Sequence, residues 1–357
     1  MKKTPIIGVL TWRSGRTFAE PSYFKKLLRA SKRLGVVLYL FCPRDVDDKT
    51  KQIQGFFWSR EKGWLSKRFP WPDVVIDRYR YRPDQAFKEY IAFRKRNHMY
   101  YANHRLANKW KVHQILSAEP AMERWLPETY LYSQDKLKQL LDRHSHVYIK
   151  PSNGTGGRGI VKIERTSGKY HLLGRDYQRK KISSTCKSLI EINKWLNVWK
   201  NKDKQIVQQG LHINLLPERS VDVRLLIQKE QTGNWDVTGM GVRIGPAHSA
   251  TSNLHGGGQA KELATFLESL FGVARTQIIQ QECHRLARQT ALTVERHFGR
   301  MLELALDIGI DVQGNVWLIE VNPKPGREIF RELGQLQTYQ QSIERPIQYA
   351  RYLASHG

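Results

Sequence analysis

ELALDIGIDVQGNVWLIEVN, residues 303–322, decides the fold. Two apolar runs, 303–312 and 316–321, flank Gln313-Gly314-Asn315, and a glycine at that point supplies the positive φ a tight hairpin needs. Glu320 and Asn322 are two positions apart on the second run and so share a face of a strand. The turn folds Asp307 back opposite them. Three hard oxygen ligands converging on one face suit Mg²⁺, which proteins hold with one or two carboxylates together with nucleotide phosphates. A solvated polar face is the competing reading. It is weakened by Leu318, Ile319 and Val321, which set the carboxylates among apolar neighbours, where an uncompensated charge is costly.

Upstream, Tyr148-Ile149-Lys150-Pro151-Ser152-Asn153-Gly154-Thr155-Gly156-Gly157-Arg158-Gly159-Ile160 reads as a strand that delivers a lysine into a loop with four glycines. Glycines let a backbone approach an anion closely, and successive N–H groups can form a nest for phosphate oxygens. The lysine precedes the glycines and no helix follows, so this is not the GxxxxGK[ST] arrangement, and the loop alone is equally a mobile hairpin. Further cations accompany it: Arg224 within Val221-Asp222-Val223-Arg224-Leu225-Leu226, and Lys324 and Arg327 directly after the carboxylate strand. Phosphoryl transfer needs cations and donors around the moving group rather than a protein nucleophile. No GxSxG or paired Cys/His signature accompanies the set.

Outward from these motifs, residues 1–102 alternate apolar runs (6–10, 36–41, 73–77) with helix-like stretches (23–34, 83–96), a pattern that argues for a parallel sheet. Residues 56–82 mix aromatics and cations, among them Trp58, Trp64 and Trp71; such a mixture can stack bases, but it is also what a half-exposed lobe with buried rings looks like. Further strands are expected at 205–209, 221–229 and 235–243, helices at 262–270 and 277–299, and a terminal helix over the last 25 residues. The chain has 357 residues, 40% of them hydrophobic and 26% charged. That balance is globular, and the length suggests two or three structural units. No apolar stretch approaches the roughly 20 residues needed to cross a bilayer. The run 6–10 is too short for a signal-peptide core, so the expectation is a cytoplasmic protein. Three cysteines without CxxC spacing exclude a disulfide framework or zinc site and read as reduced, buried thiols. Lys plus Arg is 59 against 33 Asp plus Glu, a net charge of +26. Such a field attracts polyanions without choosing among them.

Taken in order, Lys109, Lys150 with its glycine loop, Ile206-Val207-Gln208-Gln209-Gly210-Leu211, Asp222-Val223-Arg224, Ser252-Asn253-Leu254-His255-Gly256-Gly257 and Asp307…Glu320-Val321-Asn322 resemble the motif series of the ATP-grasp superfamily. The likeness spans about residues 103–330. The Ser252–Gly257 stretch is similar to the branch of ribosomal-protein glutamate ligases and glutathione synthetases. The whole chain, with its aromatic N-terminal lobe and Pro127-Glu128-Thr129, most resembles the YheC/YheD family of endospore-associated ATP-grasp proteins. The resemblance implies an α/β (α+β) fold with a Rossmann-like α/β lobe (1–102), an ATP-grasp domain (103–330, its small lobe about 103–210 and its large lobe about 211–330) and a C-terminal helix (331–357).

The resemblance also implies roles. Lys109 and Lys150 would contact ATP, Lys150 near its phosphates. The loop from Ser152 through Gly154, Gly156, Gly157 and Gly159 would fold over the β- and γ-phosphates. Gln208, Gln209 and Leu211 would hold adenine, with Gln208-Gln209 standing where many members have a glutamate. Asp222 would lie near the ribose, Ser252 and Asn253 at the phosphate end, and Asp307, Glu320 and Asn322 would carry two Mg²⁺ ions, or Mn²⁺. Arg224, Lys150 and Arg327 would serve catalysis. The implied reaction is carboxylate–amine ligation through an acylphosphate, with unknown carboxylate and amine substrates, in the cytoplasm or at the forespore or spore coat. Two other readings stay open. One is a spore-associated assembly protein that binds ATP without turnover, with an anionic polymer or the spore surface as partner. The other is a basic nucleic-acid-binding protein, for which the chain offers only weak, non-specific attraction.

Overall fold

Strand Ile6–Leu10 is apolar throughout and lies inside the first sheet, parallel to Val37–Phe41 on one side and to Val74–Asp77 on the other. Strands covered on both faces read as continuous apolar runs, as these three do. The structure, a computed structural model, describes residues 4–82, 84–106, 108–152, 158–178, 180–199, 204–213, 215–247 and 257–356. Helices Pro21–Arg33 and Gln85–Lys95 flank this sheet near the expected positions; Pro83 lies outside the described residues. The stretch expected only as a mixed lobe is a hairpin, Gln52–Ser59 against Gly63–Pro70. Its rings pack inward: Phe18 meets Phe56 edge-on at 5.7 Å, and Trp58 meets Trp64 at 5.3 Å. Aromatic residues suit a half-buried pleated surface, which is why this sequence forms strands.

The second sheet is antiparallel and six-stranded. Its order is Lys181–Cys186, Lys169–Arg175, Ile160–Thr166, His146–Pro151, Gln205–Gln209 and Thr129–Leu131. Helix Gln134–Arg143 places Leu137, Leu140 and Leu141 against Val147, Ile149 and Val207 to form its core. The third sheet runs Gln259–Lys261, Trp235–Ile244, Val221–Lys229, Glu303–Ile310 and Val316–Asn322. One of its faces packs on helix Leu263–Phe298 through Val223, Leu225, Leu306, Ile308, Leu286 and Val294. The two helices expected at 262–270 and 277–299 are joined into this single element, interrupted only at Gly272, whose φ of 74° and ψ of 167° are open to glycine almost alone. In the hairpin that opened the sequence reading, Gly314 turns at φ 78° as its position requires.

Helix Leu336–His356 does not stand apart. Ile343, Ile347, Tyr349, Ala350 and Leu353 complete the core formed by Ile7, Val9, Phe24 and Leu27 of the first sheet and its helix. Cys42, Cys186 and Cys283 are free and buried. Among the described residues, no helix is long and apolar enough to cross a membrane.

Candidate active site

Side chains two apart on a strand share a face, so Asp222 and Arg224 of Val221–Lys229 point together. The register sets Arg224 beside Asp307, Asp307 beside Glu320, Ala305 beside Asn322, and Asp222 beside Arg243 of Trp235–Ile244. Four neighbouring strands thus present one row of charged and amide groups on the face opposite the core. A bulge makes this possible. Asp307 pairs with Glu320 but Ile308 with Leu318, leaving Ile319 as the extra residue. Without it Leu318 and Glu320 would share a face. With it Leu318 enters the core and Glu320 joins the acids, the re-aiming that bulges perform.

The row is tied by charge. Arg224 Nε lies 2.8 Å from Asp307 Oδ1, and Arg243 Nη2 lies 3.1 Å from Asp307 Oδ2. Arg243 also grips Asp222 through two bonds of 2.6 and 2.7 Å. Burial pushes the Asp307 carboxyl up, but Arg224, Arg243 and Lys109 outweigh it and hold the group below the usual carboxylate range. The same two carboxylates keep Arg243 charged more firmly than usual, against the effect of its burial.

The facing cations come from helix Lys109–Ser117 and from the second sheet. Asn108 caps helix Lys109–Ser117 by accepting from Lys111 N, which fixes Lys109 at the first helical position. From there its ammonium reaches Glu320 Oε1 at 3.3 Å. Lys150, 7% exposed, ends strand His146–Pro151 and donates to Gln208 Oε1 at 2.6 Å. Gln208 in turn donates to Thr129 Oγ1 at 2.8 Å, and Thr129 to the Pro127 carbonyl at 2.9 Å. Burial pushes Lys150 down to about 8, helped by Lys109 and opposed by Glu320 and Asp307. Burial and the Lys150 charge push His113 down to about 4, so it is neutral at pH 7. Ser152 is pinned at the base of the glycine loop: its carbonyl accepts from Lys109 N at 2.9 Å and its N–H donates to the Lys204 carbonyl at 2.8 Å. At the loop's other end Gly159 has φ +68°, and a Cβ there would lie 2.8 Å from the Tyr177 ring.

A family model for YheC/D-like ATP-grasp proteins matches residues 98–353. The chain belongs to this family. The endospore coat-associated protein YheD of Bacillus subtilis (strain 168) is 28% identical, covering 98% of this chain and 79% of YheD. Among solved structures, D-cycloserine synthetase DcsG superposes with a TM-score of 0.59 at 12% identity, covering 98% of this chain and 99% of that one. The ATP-grasp ligase PsnB, complexed with minimal precursor, Mg and ADP, gives 0.52 at 11% identity, covering 98% and 99%. At such identities the likeness is one of fold, and the fold is that of ATP-grasp ligases.

Within this ATP-grasp frame the structure gathers Lys109, Lys150, Gln208, Asp222, Arg224, Asp307 and Glu320, with Asn322 at the end of the same row. Gln209 and Leu211 follow on the strand that carries Gln208; the Gln209 side chain accepts from Glu128 N at 3.1 Å. Gly154, Gly156, Gly157, Ser252 and Asn253 lie outside the described residues. Arg327 is not brought into the row. It is 3% exposed, and its guanidinium donates to Glu303, to the Ser342 carbonyl at 2.8 Å and to the Pro325 carbonyl at 3.1 Å. Those bonds leave it a strut between helix Leu336–His356 and the third sheet rather than a catalytic group. Arg243 is the residue the sequence reading missed. Its signal, a position opposite Asp222 on the adjoining strand, exists only once the register is known.

Proposed function

We propose that the chain binds Mg-ATP between Lys150 and the acid row and uses the γ-phosphate to activate a carboxylate for ligation to an amine. One observation carries this. Asp307 and Glu320, from two strands of one sheet, are ion-paired among the described residues with Arg224, Arg243 and Lys109, and a desolvated lysine faces them from another sheet. Cations set around a buried carboxylate and its half-buried neighbour, beside a lysine, form a receptor for phosphates and their metal.

The donor set suits magnesium. Two carboxylates and an amide are hard oxygen ligands of the number Mg²⁺ takes alongside phosphates. Among the described residues no group of three or more His, Cys, Asp or Glu competes as a metal centre. Among the described residues, Asp307 Oδ1 is buried without a well-aligned hydrogen bond. Asp307, Glu320 and Asn322 would hold the metal, which supplies positive charge to the phosphates when bound.

The other roles follow from position. Lys150 places its ammonium on phosphate oxygens. Arg224, whose one ion-pair partner among the described residues is Asp307, is free to turn to the γ-phosphate once a metal shares that carboxylate. Gln208–Leu211 offers backbone groups to adenine, while the glycine loop and Ser252–Asn253 close the phosphate end. A substrate carboxylate oxygen attacks the γ-phosphorus, the bond to the β,γ-bridging oxygen breaks and ADP departs. The amine then attacks the acyl carbon, inorganic phosphate leaves with the bonding pair, and the amine nitrogen sheds a proton to solvent. The name of the relative YheD supports placing this reaction at the spore coat.

The test is ADP release by purified protein with Mg-ATP and pools of amino acids, peptides and acidic polymers, with hydroxylamine added to trap an acylphosphate as the hydroxamate. Hydroxamate formed in step with ADP is the expected result. Tight Mg-ATP binding with no ADP release from any pool would instead establish a coat-associated ATP binder without turnover. No nucleotide binding at all would sink both.

A further inference from the structure

Both carboxylates proposed to hold the metal already have cations against them. Asp307 carries a guanidinium on each oxygen: Arg224 Nε lies 2.8 Å from Oδ1, and Arg243 Nη2 lies 3.1 Å from Oδ2. Glu320 Oε1 has the Lys109 ammonium at 3.3 Å. The two guanidinium contacts differ in kind. Arg243 has a second carboxylate of its own, since its Nε and Nη2 bond Asp222 at 2.6 and 2.7 Å. Such a forked, charge-assisted pair is the strong form of the interaction, and it anchors Arg243 independently of Asp307. Arg224 has no second anchor: among the described residues its one ion pair is with Asp307 Oδ1. That contact is close but poorly aimed. Arg224 Nε and Asp307 Oδ1 are both buried and, among the described residues, neither has a well-aligned hydrogen bond.

Arg224 therefore sits on the one Asp307 oxygen that could change partners without disturbing Arg243. The register sets Glu320 beside Asp307, so an ion on that oxygen has the second carboxylate at hand. A guanidinium and a divalent ion at contact distance around one carboxylate repel each other, the more so where water is scarce. Charge across the site argues the same way. Lys109, Lys150, Arg224 and Arg243 set four positive charges against the three negative charges of Asp222, Asp307 and Glu320. A bare divalent ion meets a site that is already net positive. An ion carried by nucleotide phosphates brings with it the anionic partners that Arg224 and Lys150 lack.

We infer that Arg224 is a placeholder for the metal: in the nucleotide-free protein it fills the Asp307 position and keeps divalent ions out, and it releases that carboxylate only when phosphates arrive with the ion and take its guanidinium. The inference rests on the ligase reading of this site and adds an order of loading to it. The test is Mn²⁺ binding to the nucleotide-free full chain at pH 7 and low salt, read from the electron paramagnetic resonance signal of the free ion. Arg224→Gln should bind Mn²⁺ about tenfold tighter than wild type or more, the least expected from removing a unit charge at contact distance from a divalent ion even with the screening of water. Arg224→Lys, which keeps the charge, should stay within about threefold of wild type by the same reasoning, and adding Asp307→Asn to Arg224→Gln should cancel the gain. Arg224→Met, also uncharged, takes the place of Arg224→Gln if circular dichroism shows the latter unfolded. No gain in the uncharged variant, an equal gain in Arg224→Lys, or a gain that survives Asp307→Asn would overturn the placeholder role. Calorimetric Mg-ADP binding by wild type separates the two ideas: normal nucleotide binding without the Mn²⁺ gain removes only the placeholder, whereas absent nucleotide binding removes the ligase reading and the exchange with phosphates.

Discussion

Raising the pH should weaken nucleotide binding through Lys150, and the size of the effect can be worked from its surroundings. In the free protein the ammonium is buried against the neutral Gln208 amide, with Lys109 near it, and its pKa falls from 10.5 to about 8. Phosphate oxygens would give it anionic partners and return the pKa toward the ordinary value. A group whose pKa is higher in the complex contributes affinity that is fully present below its free value and is lost as pH rises through it. Mg-ADP affinity should therefore be level up to about pH 8 and then fall about tenfold per unit, for a total of about 3 kcal/mol if the pKa is fully restored, at about 1.4 kcal/mol per unit. Stability of the nucleotide-free protein should move the other way. With the folded pKa depressed, the unfolded chain holds more protons between about 8 and 10.5, so the Lys150 burden is felt below about 8 and relieved as pH climbs through that window. Calorimetry from pH 7 to 9.5, in two buffers of different ionisation enthalpy, reads affinity and proton uptake together, with Lys150→Met as the reference. An affinity flat to pH 9.5, or a decline that persists unchanged in Lys150→Met, would refute the reasoning.

Glu320→Ala removes a proposed metal ligand and the partner of Lys109, and should abolish ATP turnover, a loss of several kcal/mol of transition-state stabilisation, while circular dichroism stays unchanged; wild-type turnover would sink the metal assignment. Asp307→Asn leaves Arg224 and Arg243 sharing an amide instead of a carboxylate; urea unfolding should show a loss of about 3 kcal/mol, the scale for breaking one side of a buried ion pair, and a change under 0.5 kcal/mol would show the pairing to be incidental. Gly272→Ala meets no atom within 4 Å yet forces a side chain onto φ 74°, so the unfolding free energy from urea titration should drop by about 1–3 kcal/mol, read as a lower midpoint at constant m value, and an unaltered midpoint would mean the helix break relaxes. Nucleic-acid binding, followed by fluorescence anisotropy, should be sequence-independent and vanish near physiological salt, because the +26 charge attracts phosphates while nothing reads bases; tight, selective binding there would reopen the nucleic-acid reading.

Much of this site could be read from residue order because its parts are short-range. The alternation on either side of Gln313-Gly314-Asn315 specifies a hairpin, and the hairpin alone brings Asp307 to Glu320. The bulge at Ile319 could not be read, since a slip in pairing is set by both strands and by which residues the core accepts. Arg243 was hidden for a related reason: one arginine among 59 basic residues stands out only when its strand is laid beside Asp222. Arg327 misled because sequence proximity to the carboxylate strand looked like spatial proximity to its chemistry, whereas the chain turns after Asn322 and spends that arginine on Glu303 and the last helix. The aromatic stretch 52–70 carried a strand composition, but its interleaved lysines and arginines obscured the alternation that marks a strand pair.

The core under the first sheet has a consequence for how the chain is made. Ile7, Val9 and Phe24 are covered by Ile343, Ile347 and Leu353, so the opening lobe leaves the ribosome with that apolar face bare. Residues follow at about 5–20 per second, and roughly 250 more must be added before the covering helix exists, which leaves the face uncovered for about 12–50 s at that pace. During that time it is a natural landing place for a chaperone. The nascent lobe closes only when the helix from the far end of the chain arrives to seal it.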